Sequence, residues 1–240
     1  MASWNEREIC GFSAEGRSMR LRLSGWIILF ILVFASCSGE PPAVLEVYHE
    51  ILIEEDRSSS LRYETLSLFV HVEDPDGIED IESVYCIADD PEVYVCLDSS
   101  SWRKVEREGE VWLGNGSIVM PDRSDFPRAD YRILVIDANG ERAEGSFSIT
   151  TERIPKEELV FPHLQIDGSH ITITGGYTRN ILSGYGADGL LLGTAVVGGG
   201  SISIEEAFPA AEVRERIRSI YIQAEAEKKG YSLRSGPYDF

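Results

Sequence analysis

The segment Leu66-Ser67-Leu68-Phe69-Val70-His71-Val72 decides the fold class of this chain. Leucine and valine occupy every second position, and serine, phenylalanine and histidine stand between them. Because successive side chains of a strand point to opposite faces of a sheet, this alternation predicts a strand with one apolar face. The same period of two marks three further segments of the first half, 45–53, 93–97 and 131–136.

Turn residues separate these alternating segments. Asp137-Ala138-Asn139-Gly140 contains Asn-Gly, whose two residues tolerate positive φ and therefore favour a tight hairpin. In the second half we predict strands over 159–166, 171–174, 181–186, 190–197, 201–204, 219–226 and 231–238, with one short helix over 205–216. Many short strands joined by turns indicate an all-β chain built as a β-sandwich.

Two segments of the first half resemble bacterial immunoglobulin-like domains. They are Val70-His71-Val72-Glu73-Asp74-Pro75-Asp76-Gly77-Ile78 and Tyr131-Arg132-Ile133-Leu134-Val135-Ile136-Asp137-Ala138-Asn139-Gly140. The resemblance covers residues 42–150 and implies an immunoglobulin-like β-sandwich, in which Tyr131 is a corner tyrosine bonded to nearby backbone. It implies nothing about activity, because this fold carries many unrelated functions.

The second half, residues 159–240, is similar to fibronectin type III and related sandwiches. Residues 151–158 are charged, contain a proline and lack alternation, which is typical of a linker. We therefore predict two tandem immunoglobulin-like β-sandwiches, 42–150 and 159–240.

The residues before position 42 resemble a bacterial lipoprotein signal. A short basic region, Met19-Arg20-Leu21-Arg22, precedes an apolar run from Trp26 to Phe34, and Ala35-Ser36-Cys37 follows. The run is too short to span a bilayer as a helix but suits an export signal. The resemblance implies that residues 1–36 are a leader and signal peptide, that Cys37 is acylated, and that 37–41 form a tether.

The alternative is an ordinary secretory signal cut after Ala35 or Ser36. Ser38 follows the cysteine where an aspartate is typical of inner-membrane retention, so the sequence favours the outer membrane of a bacterial cell envelope.

The chain carries a formal net charge of −19, which limits its partners. Such a surface repels phosphate backbones and anionic lipid headgroups, so we expect no nucleic-acid binding. Attachment to the membrane is then expected through N-terminal acyl chains rather than through a basic patch.

Cys86 and Cys96 flank a predicted hairpin whose turn is Asp90-Pro91-Glu92. If the hairpin is symmetric about Pro91, the two cysteines lie directly opposite on one face and form a disulfide in an oxidising envelope. The alternative is a pair of buried thiols that act as small apolar side chains.

Acidic residues cluster in the loop after the first quoted strand. Several carboxylates on one loop suit a hard cation such as Ca²⁺, with Asp74, Asp76 and Asp80 as the predicted ligands. The simpler interpretation is a turn in which Asp74-Pro75-Asp76-Gly77 supplies backbone-bonding side chains and a free glycine.

The sequence contains no Gly-x-Ser-x-Gly elbow, His-Glu-x-x-His motif or phosphate-binding glycine loop. We therefore predict a non-enzymatic protein with no catalytic residue and no cofactor. The first hypothesis is a structural or protein-interaction role, in which loops and sheet edges bind another envelope or surface protein. The second is a surface module or adhesin that binds glycans, with or without calcium.

Overall fold

The computed structural model describes residues 39–226 and 231–240. Within these ranges the chain consists almost entirely of strands, so the predicted all-β class is confirmed. No helix in these ranges is long and apolar enough to cross a bilayer. Cys37 and the rest of the predicted signal lie outside the described residues, and acylation stays a prediction.

The strands in chain order are β1 (Ala43–Asp56), β2 (Leu61–Glu73), β3 (Ile81–Asp89), β4 (Glu92–Asp98), β5 (Arg103–Arg107), β6 (Glu110–Val119), β7 (Asp130–Asp137), β8 (Arg142–Ser148), β9 (His163–Asp167), β10 (His170–Thr174), β11 (Asn180–Tyr185), β12 (Leu191–Val197), β13 (Gly200–Ser203), β14 (Ser219–Ala226) and β15 (Tyr231–Asp239). Two short α-helices, α1 (Ile204–Ala207) and α2 (Ala211–Arg216), stand where one helix was predicted. Pro209 lies between them and cannot donate the backbone hydrogen bond that a continuous helix needs.

The strands form three sheets. The longest has eight strands in the order β12-β11-β14-β15-β1-β2-β6-β5. A four-stranded sheet has the order β4-β3-β7-β8, and a three-stranded sheet has the order β13-β10-β9.

The predicted apolar face of β2 is confirmed. Leu66, Leu68 and Val70 are fully buried, and they share one core with Val84 and Ile133 of the four-stranded sheet. A second core joins the far end of the long sheet to the three-stranded sheet. Its members include Leu182, Ile220 and Ile222 from the long sheet and Leu164 and Ile171 from the smaller one.

Tyr131 forms the corner contact that the immunoglobulin-like resemblance implied. Its side chain is buried, and its hydroxyl donates a 2.9 Å hydrogen bond to the backbone oxygen of Pro127. The ring stacks on Phe147 of β8 with 5.0 Å between centroids. This contact fixes the loop that enters β7.

One sheet runs through both halves of the chain. β1 and β15 pair in parallel, with Ile53 beside Leu233 and Glu54 beside Arg234. A third small core covers this junction and includes Ile53, Leu233 and Phe161. Residues from Glu40 to Phe240 form one compact unit, so the halves share a sheet, and their division into two immunoglobulin-like modules stays a prediction.

The register of the long sheet gives it two distinct faces. Side chains such as Ile51, Leu68 and Ile222 point toward the two smaller sheets and form what we call the packed face. The alternate residues, such as Phe69 and Gln223, belong to the other side, which we call the open face.

Candidate functional site

Three carboxylates converge at one end of the four-stranded sheet. Asp74 follows β2, Asp80 ends a 3₁₀ turn (Ile78–Asp80), and Asp137 is the last residue of β7. Each offers one oxygen, and these oxygens all lie within 4.8 Å of one another. We call these three residues the carboxylate cluster.

Strand pairing explains why Asp137 joins this cluster. β3 pairs with β7 so that Ile81 lies opposite Asp137, which places the preceding residue, Asp80, beside it. The backbone N–H of Ala138 donates a 2.8 Å hydrogen bond to the Asp80 carbonyl oxygen and holds the two chain segments together. In the sequence, Asp137 is recognisable only as a turn residue, because its approach to Asp80 depends on strand pairing across about 57 positions.

Asp76, which the sequence predicted as a ligand, lies outside the carboxylate cluster. Its Oδ2 accepts a 2.7 Å hydrogen bond from the backbone N–H of Glu40. Its own backbone N–H donates to Asp74 Oδ1 at 2.9 Å, as the predicted turn requires. The structure therefore brings Asp74 and Asp80 of the predicted set together with Asp137 and leaves Asp76 outside this group.

The negative charges in and near this cluster repel one another, which contributes to a raised pKa of one of its carboxyl groups. Partial burial, followed by the negative charges of Asp137, Asp74 and Asp76, raises the pKa of the Asp80 carboxyl above its ordinary value. Like charges this close favour a bound cation or a bound proton.

The predicted disulfide between Cys86 and Cys96 is wrong for this structure, in which both thiols are free. Asp89 pairs with Glu92, so the turn has two residues and Cys86 faces Val95 while Cys96 faces Tyr85. A shift of one residue moves a side chain to the opposite face of a sheet. Cys86 is consequently buried in the core and Cys96 is exposed.

The open face carries a broad polar depression, which we call the sheet groove. Its volume is about 600 Å³, and the lining side chains that matter here are Phe69, Trp102, Asn115, Tyr185, Gln223 and Arg234. Trp102 and Asn115 come from the first half of the chain, whereas Tyr185 and Gln223 come from the second. The groove therefore exists only because the two halves share a sheet.

Glu54 and Arg234 form an ion pair where the two halves of the chain meet, and Arg234 lines the sheet groove. Arg234 donates a 2.5 Å hydrogen bond from Nη2 to Glu54 Oε2, and both side chains are largely buried. The Arg234 Nε atom is buried without a hydrogen-bond partner in the described part of the chain. A neighbouring depression of about 260 Å³ continues the groove toward Tyr221. Burial and the negative charge of Glu54 raise the pKa of Tyr221 above its ordinary value.

The two edges of the long sheet differ in chemistry. β5 reads Arg-Lys-Val-Glu-Arg and is exposed along its whole length, and such charges discourage pairing with another chain. At the opposite edge, β12 exposes Leu191 and Val196, and Leu190 precedes it in the turn, also exposed. Because Leu191 pairs with Tyr185 and Val196 pairs with Ile181, these apolar side chains lie on the open face.

Comparison with known proteins gives no family assignment. Neither the protein-family models nor the curated proteins contain a match to this sequence. Among solved structures, the chain is similar to Tp47, the 47-kilodalton lipoprotein of Treponema pallidum, with 14% sequence identity and a TM-score of 0.39. The match covers 82% of this chain and 50% of that protein, so the chain spans about half of its length. A likeness of this strength identifies no function.

Proposed function

We propose that this chain is a lipid-anchored, non-enzymatic protein of the bacterial cell envelope that binds another envelope or surface protein. The observation that carries the binding role is the difference between the edges of the long sheet. Among the described strands, β12 lies at the edge of the long sheet and exposes Leu191 and Val196, whereas β5 at the opposite edge is covered with charges.

Strand addition is the binding mode that suits β12. An exposed sheet edge offers backbone donors and acceptors to an extended segment of a partner, and side-chain pockets give specificity. Apolar side chains at the same edge increase the affinity, because their surface is removed from water on binding. The partner is therefore expected to supply an extended apolar segment.

Two matched substitutions test this role. Val196→Lys places a charge at the β12 edge, and Val105→Lys places the same charge on β5; both valines are exposed, so neither change disturbs a core. After crosslinking of intact envelopes, we expect the partner to be recovered with Val105→Lys and lost with Val196→Lys. Equal recovery of the partner with both variants would contradict a role for β12.

The anchor is tested independently. Cys37 lies in the segment that resembles a lipoprotein signal, and its substitution by alanine removes the thiol that the lipid requires. We expect Cys37→Ala to leave the membrane fraction, and the mass of the native chain to include acyl groups. A Cys37→Ala variant that fractionates like the parent would reject the lipid anchor.

A glycan is the second candidate ligand, and the composition of the sheet groove favours it. Rings from Phe69, Trp102 and Tyr185 stand beside the amides of Asn115 and Gln223. Aromatic rings cover the apolar faces of sugars, and amides exchange hydrogen bonds with their hydroxyl groups.

The glycan role is tested by two tyrosines. Tyr185 lines the groove, whereas Tyr94 is exposed on the four-stranded sheet. On a glycan array we expect Tyr185→Ala to lose signal and Tyr94→Ala to retain it. No signal from the parent protein would remove this candidate without affecting the protein-binding role.

A further inference from the structure

We propose that Asp74, Asp80 and Asp137 form a Ca²⁺ site that ties the loop after β2 to the end of β7. This site is distinct from the sheet groove and from the β12 edge, and it does not depend on the function proposed for them. The hydrogen bonds that each carboxylate makes, and the oxygens left without one, support this site.

Asp137 is the strongest of the three ligands. Its side chain is fully buried, and its Oδ1 accepts hydrogen bonds from the backbone N–H groups of Asn139 and Glu141, both at 2.8 Å. These two bonds close the hairpin turn. Its Oδ2 is also buried and has no hydrogen-bond partner among the described residues. A buried carboxylate oxygen without a donor or a cation is costly, so this atom indicates a missing positive partner.

The two carboxylate oxygens of Asp74 also differ in their hydrogen bonding. Its Oδ1 accepts the backbone N–H of Asp76 and builds the turn, whereas its Oδ2 is buried and has no partner in the described part of the chain. The turn interpretation therefore accounts for one oxygen of Asp74 and one of Asp137. It does not account for the second oxygen of either residue.

Asp80 completes the cluster from a half-exposed position. Its Oδ2 accepts a 3.0 Å hydrogen bond from Asn139 Nδ2, which also belongs to the hairpin after β7. Because Asp74 and Asp80 are only partly buried, an ion can reach the cluster from solvent. Three carboxylate oxygens within 4.8 Å of one another are close enough together to bind one cation.

The donor set selects the class of ion. All three ligands are carboxylates, and hard oxygen ligands favour Ca²⁺ or Mg²⁺ over zinc and copper, which prefer nitrogen and sulfur. Ca²⁺ accepts irregular geometry with about 6–8 oxygens, whereas Mg²⁺ requires a near-ideal octahedron of about six. Asp74 and Asp80 come from one loop and Asp137 comes from the end of β7. The less demanding coordination of Ca²⁺ suits such a set better than the octahedron of Mg²⁺, so calcium is the expected ion, with water and carbonyl groups in its remaining positions.

Calcium titration of the full chain tests the site. We expect isothermal titration with CaCl₂ to show saturable binding to the parent protein, and MgCl₂ to bind more weakly. Removal of one ligand, in D80N or D137N, is expected to weaken calcium binding at least about tenfold. The matched control is D76N, which removes a neighbouring negative charge from the same loop but no ligand of the cluster, and which is expected to weaken calcium binding much less than D80N does.

Thermal unfolding separates a lost ligand from a damaged fold. In EDTA we expect D137N to unfold at the same temperature as the parent or above it, because the amide retains the Oδ1 contacts and removes one negative charge. With calcium, the parent is expected to gain stability and D137N to gain none. The proposal is overturned if the parent shows neither calcium binding nor a calcium-dependent shift, or if D76N weakens binding as strongly as D80N.

Discussion

The packed face and the open face of the eight-stranded sheet are built from alternate residues of the same strands, yet they differ in burial. The packed face forms the cores, and the open face lines the sheet groove. On β2, Leu68 is fully buried against the four-stranded sheet, whereas its neighbour Phe69 lines the sheet groove. On β14, Ile222 is fully buried and Gln223 lines the groove. The packed face therefore buries most of the apolar surface, and the open face carries the groove for which we propose a ligand.

The first prediction compares the reactivity of the two cysteines of the four-stranded sheet, of which one is buried and one is exposed. Burial raises the pKa of Cys86 to about 12, which leaves roughly 1000-fold fewer thiolates at neutral pH than an ordinary thiol has. We expect N-ethylmaleimide to label Cys96 rapidly in the native protein and to label Cys86 only after unfolding. Peptide mapping by mass spectrometry measures both sites, and recovery of a Cys86–Cys96 crosslinked peptide would contradict the observed register.

The second prediction removes volume from the packed face. Leu68→Ala deletes a fully buried side chain in the first core and is expected to lower the free energy of unfolding by about 2–5 kcal/mol. Urea denaturation followed by circular dichroism measures this loss. A cost no larger than that of a substitution on the open face would contradict the greater contribution of the packed face to stability.

The third prediction concerns a charge on the packed face. Glu64 is buried, and its two carboxylate oxygens accept hydrogen bonds from Arg128 Nη1 and Nη2 at 2.6 and 2.7 Å. Glu64→Gln keeps the shape but removes the charge, and we expect it to cost about 1.5–3 kcal/mol of unfolding free energy. The control is Glu106→Gln, which weakens an exposed ion pair with Lys104 and is expected to cost less than about 1 kcal/mol.

The smallest change in the free energy of unfolding is expected for a substitution on the open face. Gln223→Ala shortens a groove side chain without opening a core, so the free energy of unfolding is expected to stay within about 0.5 kcal/mol of the parent. The same urea titration measures it. A loss comparable to that of Leu68→Ala would mean that the open face is part of the folded core and is not a binding surface.

Local sequence signals predicted much of the architecture. The alternation in residues 66–72 indicated which side chains of β2 enter the first apolar core, because the period of a strand is fixed at two. Turn residues located the hairpin between β7 and β8 and the loop after β2. The resemblance to immunoglobulin-like domains also indicated the hydroxyl contact of Tyr131, which depends on residues only four positions apart.

The exact register of a hairpin and the contacts between distant residues were missed. The hairpin of Cys86 and Cys96 was placed one residue out of register, because a two-residue turn and a three-residue turn are hard to distinguish around Pro91. Asp137 was not recognised as a partner of Asp74 and Asp80, since strand pairing alone brings them together. The sheet groove was also missed, because Trp102 and Tyr185 come from distant segments of the chain and meet only in the folded sheet.

By itself the sequence determined the all-β class, the inward side of several strands and the acidic surface, because each follows from the type and spacing of neighbouring residues. The tertiary structure alone decided the parallel pairing of β1 with β15, the groove across their junction and the membership of the carboxylate cluster. These features join segments that are far apart in the chain, and contacts of that kind are selected by packing and backbone hydrogen bonding in the folded state rather than by local preference.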